Sequence, residues 1–245
     1  MGALVDRVNA IAADLVVVSG DFTQRARVSQ FERAAEFLDR IEAPTLSVPG
    51  NHDTPLDNLF VRMLRPWKRY RRAIDRDLQP DADLPDARVI GVNTVNRFSW
   101  QRGRISSSNV ARVCEGFDDA GERLRIVVLH HPLEHGPEVD KRLMRGAMDA
   151  LDQFEGCGAD VVLSGHLHNT VTSPFAASPG LLFVQAGTGL SDRHRGDGNT
   201  FNLLSGNRKA VTIETYAATD DLDFTPAGEA RFEREAQVWR RIGPD

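Results

Sequence analysis

Four short apolar runs in this sequence each end directly in residues suited to binding a metal ion. They end in Ser-Gly-Asp21, Pro-Gly-Asn51-His52-Asp53, Leu-His130-His131-Pro and Ser-Gly-His166-Leu-His168. In open α/β sheets, ligands collect beyond the carboxyl ends of the strands. We therefore expect the four segments to converge into one composite site, although they lie far apart along the chain.

The remaining pattern indicates the fold class. Short β-branched runs at 15–18, 45–48, 89–92, 126–129 and 161–163 alternate with segments of helical period around residues 4–12 and 31–41. This alternation predicts an α/β sheet covered by helices. Farther along, a strand is expected at 181–185. Two runs at 201–204 and 211–216 flank Ser-Gly-Asn and predict a β-hairpin.

Composition narrows the class of protein. The 245 residues are 41% hydrophobic and 27% charged, which is ordinary globular composition and disfavours long disorder or a fibre. We expect one domain over 1–245. No apolar run approaches the roughly 20 residues that span a bilayer, and a net charge of −5 argues against a nucleic-acid coat. Neither a membrane nor a nucleic-acid partner is expected, and the oligomeric state stays open.

The two cysteines, Cys114 and Cys157, form no C-x-x-C pair. Their number and spacing predict neither a disulfide framework nor a thiolate metal site. A reducing, cytoplasmic location fits this usage best.

The motifs Gly-Asp, Gly-Asn-His-Asp, a lone His and Gly-His-x-His occur here in the order typical of the calcineurin-like metallophosphoesterases, which this sequence resembles from about Asp14 to the hairpin after Thr200. The segments Gly-Asn-His-Asp-Thr-Pro-Leu and Leu-His-His-Pro-Leu are most similar to bacterial members near the cyclic-nucleotide phosphodiesterases. The resemblance implies a four-layer α/β/β/α sandwich, with two sheets face to face and helices outside.

The resemblance also implies a set of metal ligands. Asp21 would bridge two ions. One ion would be held by Asn51, His130 and His166, and the other by His168. The family's H-x-P spacing to Pro132 favours His130 over its neighbour His131 as the ligand.

Two further residues match the family's catalytic positions. His52 would protonate the leaving oxygen or stabilise the phosphoryl charge, and Asp53 would orient it. Ser191 to Gly196 resembles a loop of the bacterial branch, in which Arg193 or Arg195 would contact the substrate's phosphate or remain solvated. The other histidines, His135 and His194, are expected to be hydrogen-bonded or surface residues without a role in the site.

Oxygen and imidazole ligands suit divalent Mn, Fe, Zn, Ni or Co, with two ions in the complete site. Two cations roughly 3.5–4 Å apart neutralise phosphoryl oxygens and lower the pKa of a bound water toward about 7. The expected activity is therefore metal-dependent hydrolysis of a small phosphomonoester or phosphodiester by a metal-bound hydroxide. Cyclic nucleotides are the leading substrate class. The sequence contains no G-x-S-x-G or G-x-x-x-x-G-K-[ST] motif that would indicate other chemistry.

A basic stretch at 62–72 has two interpretations. It is either a solvated helical face with its aromatic residues turned inward, which we favour, or a cap that draws an anionic substrate to the site. Tyr70, Phe98 and Trp100 are expected to pack against other side chains rather than to stack on a nucleobase. The stretch contains Arg62, Arg65, Lys68, Arg69, Arg71 and Arg72, interleaved with Trp67 and Tyr70.

The family's opening motif, D-x-H at the end of a first strand, is missing from this sequence. No His precedes His52, and Asp6 falls within a helical pattern. Two ligands of the His168 ion are therefore lacking. Either the chain is an N-terminally incomplete active enzyme, which the intact later motifs favour, or it is a degenerate member that binds one metal or phosphate without efficient catalysis. An interaction module without enzymatic activity is the third reading.

Overall fold

The computed structural model of the chain describes residues 1–56, 58–136, 139, 142–190, 198–220 and 223–243. Its helices are α1 (Gly2–Ile11), α2 (Val28–Leu38), α3 (Leu59–Leu64), α4 (Lys68–Ala73), α5 (Ser107–Glu115) and α6 (Ala147–Gly156). Its strands are β1 (Val16–Val18), β2 (Thr45–Ser47), β3 (Asp81–Asp83), β4 (Ala87–Val92), β5 (Leu124–Leu129), β6 (Val161–Ser164), β7 (Val171–Pro174), β8 (Leu182–Gln185), β9 (Thr200–Gly206), β10 (Ala210–Ala218), β11 (Phe224–Glu235) and β12 (Val238–Ile242).

The strands form three hydrogen-bonded sheets. The largest has the order β3-β4-β5-β6-β8-β7, in which β4, β5, β6 and β8 are parallel and the two edge strands are antiparallel. Strands β9 to β12 form an antiparallel sheet in the order β12-β11-β10-β9, and β1 pairs with β2 in parallel. Within the described residues, the β1–β2 pair has no ladder to either larger sheet. The expected hairpin at 201–216 is confirmed as β9 and β10.

Strand β5 shows why the central runs are apolar throughout. Ile126 and Val128 pack toward β10 to β12, whereas Val127 and Leu129 pack toward α5 and α6. Because a strand's side chains alternate between faces, a strand buried on both faces needs apolar residues at every position.

Helices cover the outer faces of the two larger sheets. Helices α5 and α6 cover the six-stranded sheet through residues such as Val110 and Phe154. On the opposite side, Leu4 of α1 and Phe37 of α2 pack in one cluster with Tyr216 of β10. The predicted four-layer α/β/β/α architecture is thus confirmed.

Cys114 and Cys157 are joined by a disulfide, with their Cα atoms 5.5 Å apart. The prediction of no disulfide was therefore wrong. Helices α5 and α6 pack side by side and bring the two cysteines together, which their separation in sequence does not reveal. Since disulfides persist mainly in oxidising compartments, the bond does not support the expected cytoplasmic location, which stays a prediction. Of the helices described, none combines the length and apolarity needed to cross a bilayer.

The basic stretch divides into α3 and α4, and its side chains differ from expectation at several positions. Tyr70 is fully buried, as predicted. Arg62, however, is also buried, whereas Phe98 and Trp100, which we expected to pack, are 66% and 55% exposed. The interpretation as a solvated face therefore holds for the exposed cations of this stretch but not for Arg62.

Candidate metal centre

Side-chain atoms from four separate strand ends converge on one point. The Asn51 Oδ1 atom lies 3.1 Å from His130 Nε2 and 3.0 Å from His166 Nδ1, and those two nitrogens are 3.2 Å apart. Asp21 Oδ2 lies 3.4 Å from His130 Nε2. The structure thus brings together four of the five predicted metal ligands, following β1, β2, β5 and β6.

Two glycines allow the first two loops to meet. Gly20 has a φ of +95°, and a Cβ there would lie 2.6 Å from the Gly50 nitrogen and 2.8 Å from His130 Nδ1. A Cβ on Gly50 would fall 2.1 Å from Asp21 Oδ1. A larger residue at Gly20 would therefore displace His130, and one at Gly50 would displace Asp21, which explains the Gly-Asp and Gly-Asn pairs.

Three of the predicted ligands have left-handed backbone. The φ values are +60° at Asp21, +74° at His166 and +65° at His168. Residues other than glycine rarely adopt this region, and such strain clusters at functional sites because the surrounding structure must hold it in place.

The hydrogen bonds of His130 fix its ring for ligation. Its Nδ1 pairs with the Ser19 carbonyl at 2.7 Å, and a carbonyl can only accept, so Nδ1 carries the proton. Nε2 then faces Asp21 and Asn51, and once deprotonated it presents its lone pair there, which is the arrangement in which a second partner orients a ligating imidazole. Burial alone would lower the pKa of His130, but the charge and hydrogen bond of Asp21 outweigh it and raise the pKa above 6.5. The same His130 charge lowers the pKa of Asp21 despite its burial.

Asp53 connects the loops that carry the ligands. Its carboxylate accepts the backbone N–H groups of Asp21 at 3.0 Å, Thr23 at 3.0 Å and Gly50 at 2.9 Å, and also the Thr23 hydroxyl at 3.2 Å. Burial, followed by the charge of Asp21, raises its pKa to about 7. We expected Asp53 to orient the His52 ring, but all its described hydrogen bonds go to the loops instead.

His52 is held through other groups. Its backbone N–H donates to Asp21 Oδ1 at 2.9 Å, and its carbonyl accepts the Thr23 hydroxyl. The ring Nδ1 donates to the Gln24 carbonyl at 2.9 Å, leaving Nε2 as the nitrogen that can take up or release a proton.

His131 also adjoins the group of four. Its ring centroid lies 4.8 Å from that of His130 and 4.7 Å from that of His166, and the three imidazoles offer ligand atoms within 4.8 Å of one another. Its Nδ1 pairs with the Thr94 hydroxyl at 2.9 Å, while Nε2 is buried with no hydrogen-bond partner in the described part of the chain. Burial lowers its pKa well below 6.5, and charge on its two neighbours lowers it further, so the ring is neutral.

A cavity of about 280 Å³ opens beside His131 and His166. Two guanidinium-bearing residues, Arg102 and Arg142, stand in its wall, together with His135. Sequence reasoning did not single out these arginines. Guanidinium groups bind phosphate well, so the cavity suits an anionic ligand.

The fifth predicted ligand, His168, is not among the four residues that supply the converging atoms. It follows His166 by two residues along the chain. Arg193, Arg195 and His194 lie outside the described residues.

The four donor atoms fit a divalent first-row metal ion. Such ions bind oxygen and nitrogen at about 2.0–2.2 Å, which places neighbouring tetrahedral ligands roughly 3.4 Å apart. The separations among Asn51 Oδ1, His130 Nε2 and His166 Nδ1 are 3.0 to 3.2 Å, and that from Asp21 Oδ2 to His130 Nε2 is 3.4 Å, close to this value. One carboxylate, one amide oxygen and two imidazoles also match the ligand preference of Mn, Fe, Zn, Ni and Co.

Two curated relatives resemble part of this chain. "Glycerophosphodiester phosphodiesterase GpdQ" of Enterobacter lignolyticus is 28% identical over 119 residues, covering 49% of this chain and 42% of that protein. "Probable cyclic nucleotide phosphodiesterase" of Vesicomyosocius okutanii subsp. Calyptogena okutanii is 21% identical over 129 residues, covering 53% and 50%. The chain spans half or less of the length of these relatives.

Solved structures share the fold over nearly the whole chain. Purple acid phosphatase PPD1 from yellow lupin seeds has a TM-score of 0.70 at 13% identity, covering 96% of this chain and 49% of that one. A dimetal phosphatase from Danio rerio has a TM-score of 0.62 at 12% identity, covering 92% and 88%.

The profile of calcineurin-like phosphoesterases matches residues 1–170. With its four strand-end motifs in the matched order, the chain belongs to the calcineurin-like phosphoesterase family.

Proposed function

We propose that this chain hydrolyses phosphoesters with the help of divalent transition-metal ions. The observation that carries the proposal is the close set of Asn51 Oδ1, His130 Nε2 and His166 Nδ1, which lie 3.0 to 3.2 Å from one another, with Asp21 Oδ2 3.4 Å from His130 Nε2. Side-chain packing does not account for an acid, an amide and two imidazoles at one place, whereas divalent transition metals are bound by donors of these kinds.

These four residues would hold one ion, and Asp21 with His168 would contribute to a second. Bound ions would neutralise the phosphoryl oxygens and lower the pKa of a nearby water. The buried carboxylate of Asp53 holds the loops of Asp21 and Gly50 together, because it accepts a hydrogen bond from the backbone N–H group of each. The chain thereby supplies a ligand set that is largely formed before any ion binds.

His52 is the proposed proton donor to the leaving oxygen. The Gln24 carbonyl occupies Nδ1, so the exchangeable proton is on Nε2. Because the His52 backbone is bonded to Asp21 and Thr23, the ring is anchored to the loop that carries a metal ligand. A proton donor positioned in this way accelerates the departure of an alcohol that would otherwise leave as a strong base.

The substrate would occupy the cavity beside His166. Arg102 and Arg142 in its wall supply positive charge for an anionic phosphoester. The two relatives carry phosphodiesterase names, which supports a small phosphodiester, including cyclic nucleotides, over a monoester.

A second candidate is binding of one ion without efficient turnover. It is favoured by the composition of the converging group, which accounts for a single ion and does not include His168. In that case the chain would bind a phosphate or phosphoester at the Asn51 site and release it unchanged.

The test is hydrolysis of bis(p-nitrophenyl) phosphate and p-nitrophenyl phosphate by metal-free chain reloaded with Mn, Zn, Co, Ni or Fe(II). We expect metal-dependent turnover, greater on the diester. Asn51→Ala and His166→Ala should lose both bound metal and rate, whereas the exposed Met148→Ala should keep both. Metal binding without turnover in the parent chain would favour the second candidate. Turnover that survives Asn51→Ala would refute the site.

A further inference from the structure

Exposed apolar side chains gather on one surface next to the candidate metal centre. Helix α3 presents Phe60 at 74% exposure, with Leu59 and Leu64 above 60%. Phe98 and Trp100, on the loop after β4, are also more than half exposed. The apolar patch consists of Leu59, Phe60, Met63, Leu64, Phe98 and Trp100, which are six of the eleven large apolar residues found exposed in the described chain.

Buried Arg62 makes these two segments one surface. Its Nε donates to the Arg97 carbonyl at 2.8 Å and its Nη2 to the Ser99 carbonyl at 2.5 Å, and the guanidinium lies 5.7 Å from the centre of the Trp100 ring. The other end of the group donates to the Thr54 hydroxyl, which in turn donates to the Asn51 carbonyl at 2.9 Å. The apolar patch is therefore held in place next to the loop that carries Asn51, because Thr54 connects Arg62 to that loop.

The segment between Asp57 and Asp75, which includes α3 and α4, carries charge of a single sign. No Asp or Glu occurs from Asn58 to Ile74, although the whole chain has a net charge of −5. Arg97 lies 4.9 Å from the Phe98 ring, and α4 follows α3 directly. The exposed cations carried by α4, by the turn before it and by the loop of Phe98 are Arg65, Lys68, Arg71, Arg72 and Arg97.

We infer that this patch docks on an anionic lipid bilayer. Exposed Phe, Leu, Met and Trp beside Lys and Arg are the residues of interfacial membrane-binding segments, because the apolar groups enter the acyl boundary while the cations meet anionic headgroups. A symmetric contact between two copies would bring like charges together, which opposes it. We expected no membrane partner because no run spans a bilayer, but docking at its surface needs no such run.

Docking would present the site to phosphoesters at the lipid surface, because Arg62 ties the apolar patch to the loop of Asn51 and His52. The inference does not depend on catalysis. Vesicle binding is measured without turnover, so its failure and that of the proposed hydrolysis are distinguishable.

The test is co-sedimentation of the metal-loaded chain with phosphatidylcholine vesicles, with and without phosphatidylglycerol. We expect at least tenfold tighter binding to the anionic vesicles, weakened by added salt. Phe60→Ser with Leu64→Ser, and separately Arg71→Gln with Arg72→Gln, should each reduce binding about tenfold. The matched controls Met148→Ser and Arg231→Gln, exposed residues on other elements, should bind as the parent does.

Trp fluorescence provides a second readout. Of the three tryptophans, Trp100 is exposed, Trp67 is half-buried and Trp239 is buried, so most of a blue shift on adding anionic vesicles should be lost in Trp100→Phe. Equal binding to both vesicle types, absence of binding, or binding unchanged by the patch variants would overturn the inference. Dimerisation that the Phe60 and Leu64 changes abolish, without vesicle binding, would assign the surface to a second copy instead.

Discussion

The carboxylate of Asp53 accepts the backbone N–H of Asp21 at 3.0 Å, although the two residues stand on different strand ends. Through the same carboxylate, Gly50 and Thr23 are joined to this contact. The backbone positions of the Asp21 and Asn51 ligands therefore depend on one buried acid that need not touch a metal ion itself.

Replacing Asp53 with Asn should loosen this connection. The amide nitrogen would face backbone N–H donors that need an acceptor, at a cost of about 1–3 kcal/mol for each buried donor left unpaired. Urea unfolding should show that loss, and metal titration should show weaker binding. The exposed Asp152→Asn on α6 is the control and should change stability by less than about 0.5 kcal/mol. If both variants behave alike, Asp53 does not organise the site.

His52→Ala should separate catalysis from metal binding. The four converging atoms belong to other residues, so metal content should stay close to that of the parent, while general-acid help worth about 10²–10⁴-fold in rate is lost. Metal analysis and turnover on the same preparation measure both. Substrates with better leaving groups should be less affected, since they need less protonation. A parallel loss of metal and rate would count against this role.

Metal affinity should depend on pH through His130. Its pKa is raised above 6.5, so in the metal-free chain the proton on Nε2 stabilises the fold fully below 6.5, and this contribution is lost as pH rises through the raised value. A metal ion must displace that proton. Affinity should therefore fall about tenfold per pH unit below the His130 pKa.

Calorimetry in two buffers of different ionisation enthalpy will count the protons released on metal binding. At a pH below the His130 pKa we expect about one proton from this residue for the first, tighter ion. A second binding event at the His168 position should be weaker, because Asp21 and His168 are its only ligands in the described set. Affinity that is flat from pH 5 to 8, or two events of equal strength, would contradict this account.

The strand ends were predictable from sequence because the signal there is local. A run such as Val16 to Val18 followed by Ser-Gly-Asp predicts both the strand and the ligand residue that follows its end. The convergence of His130 and His166 on Asn51 followed from the rule that ligands collect at the carboxyl ends of strands, which applies to any α/β sheet.

Arg62 shows what the sequence did not reveal. In a run of cations it is indistinguishable from its solvated neighbours, because two of its partners are carbonyls of Arg97 and Ser99, which lie 35 and 37 residues farther along the chain. Asp53 was recognised as a site residue but given a different partner, since a motif specifies residue types and not hydrogen bonds. The disulfide depends in the same way on the packing of α5 against α6, which neither cysteine's local sequence encodes.

Asp160 should matter for stability and not for the site. It precedes β6, at the end opposite His166, and its fully buried carboxylate pairs with Arg208 at 3.0 Å and with Arg234, which are carried by the hairpin after β9 and by β11. This acid connects the antiparallel sheet to the six-stranded sheet.

Asp160→Ala would leave two partly buried guanidinium groups without their carboxylate, and removing one partner of a buried pair costs about 3–5 kcal/mol. Denaturant unfolding should show this loss, while metal affinity per folded molecule stays unchanged because the ligand-bearing loops are at the far end of the strands. Weakened metal binding in the folded variant, or unfolding at the parent's denaturant concentration, would show that Asp160 does not have this role.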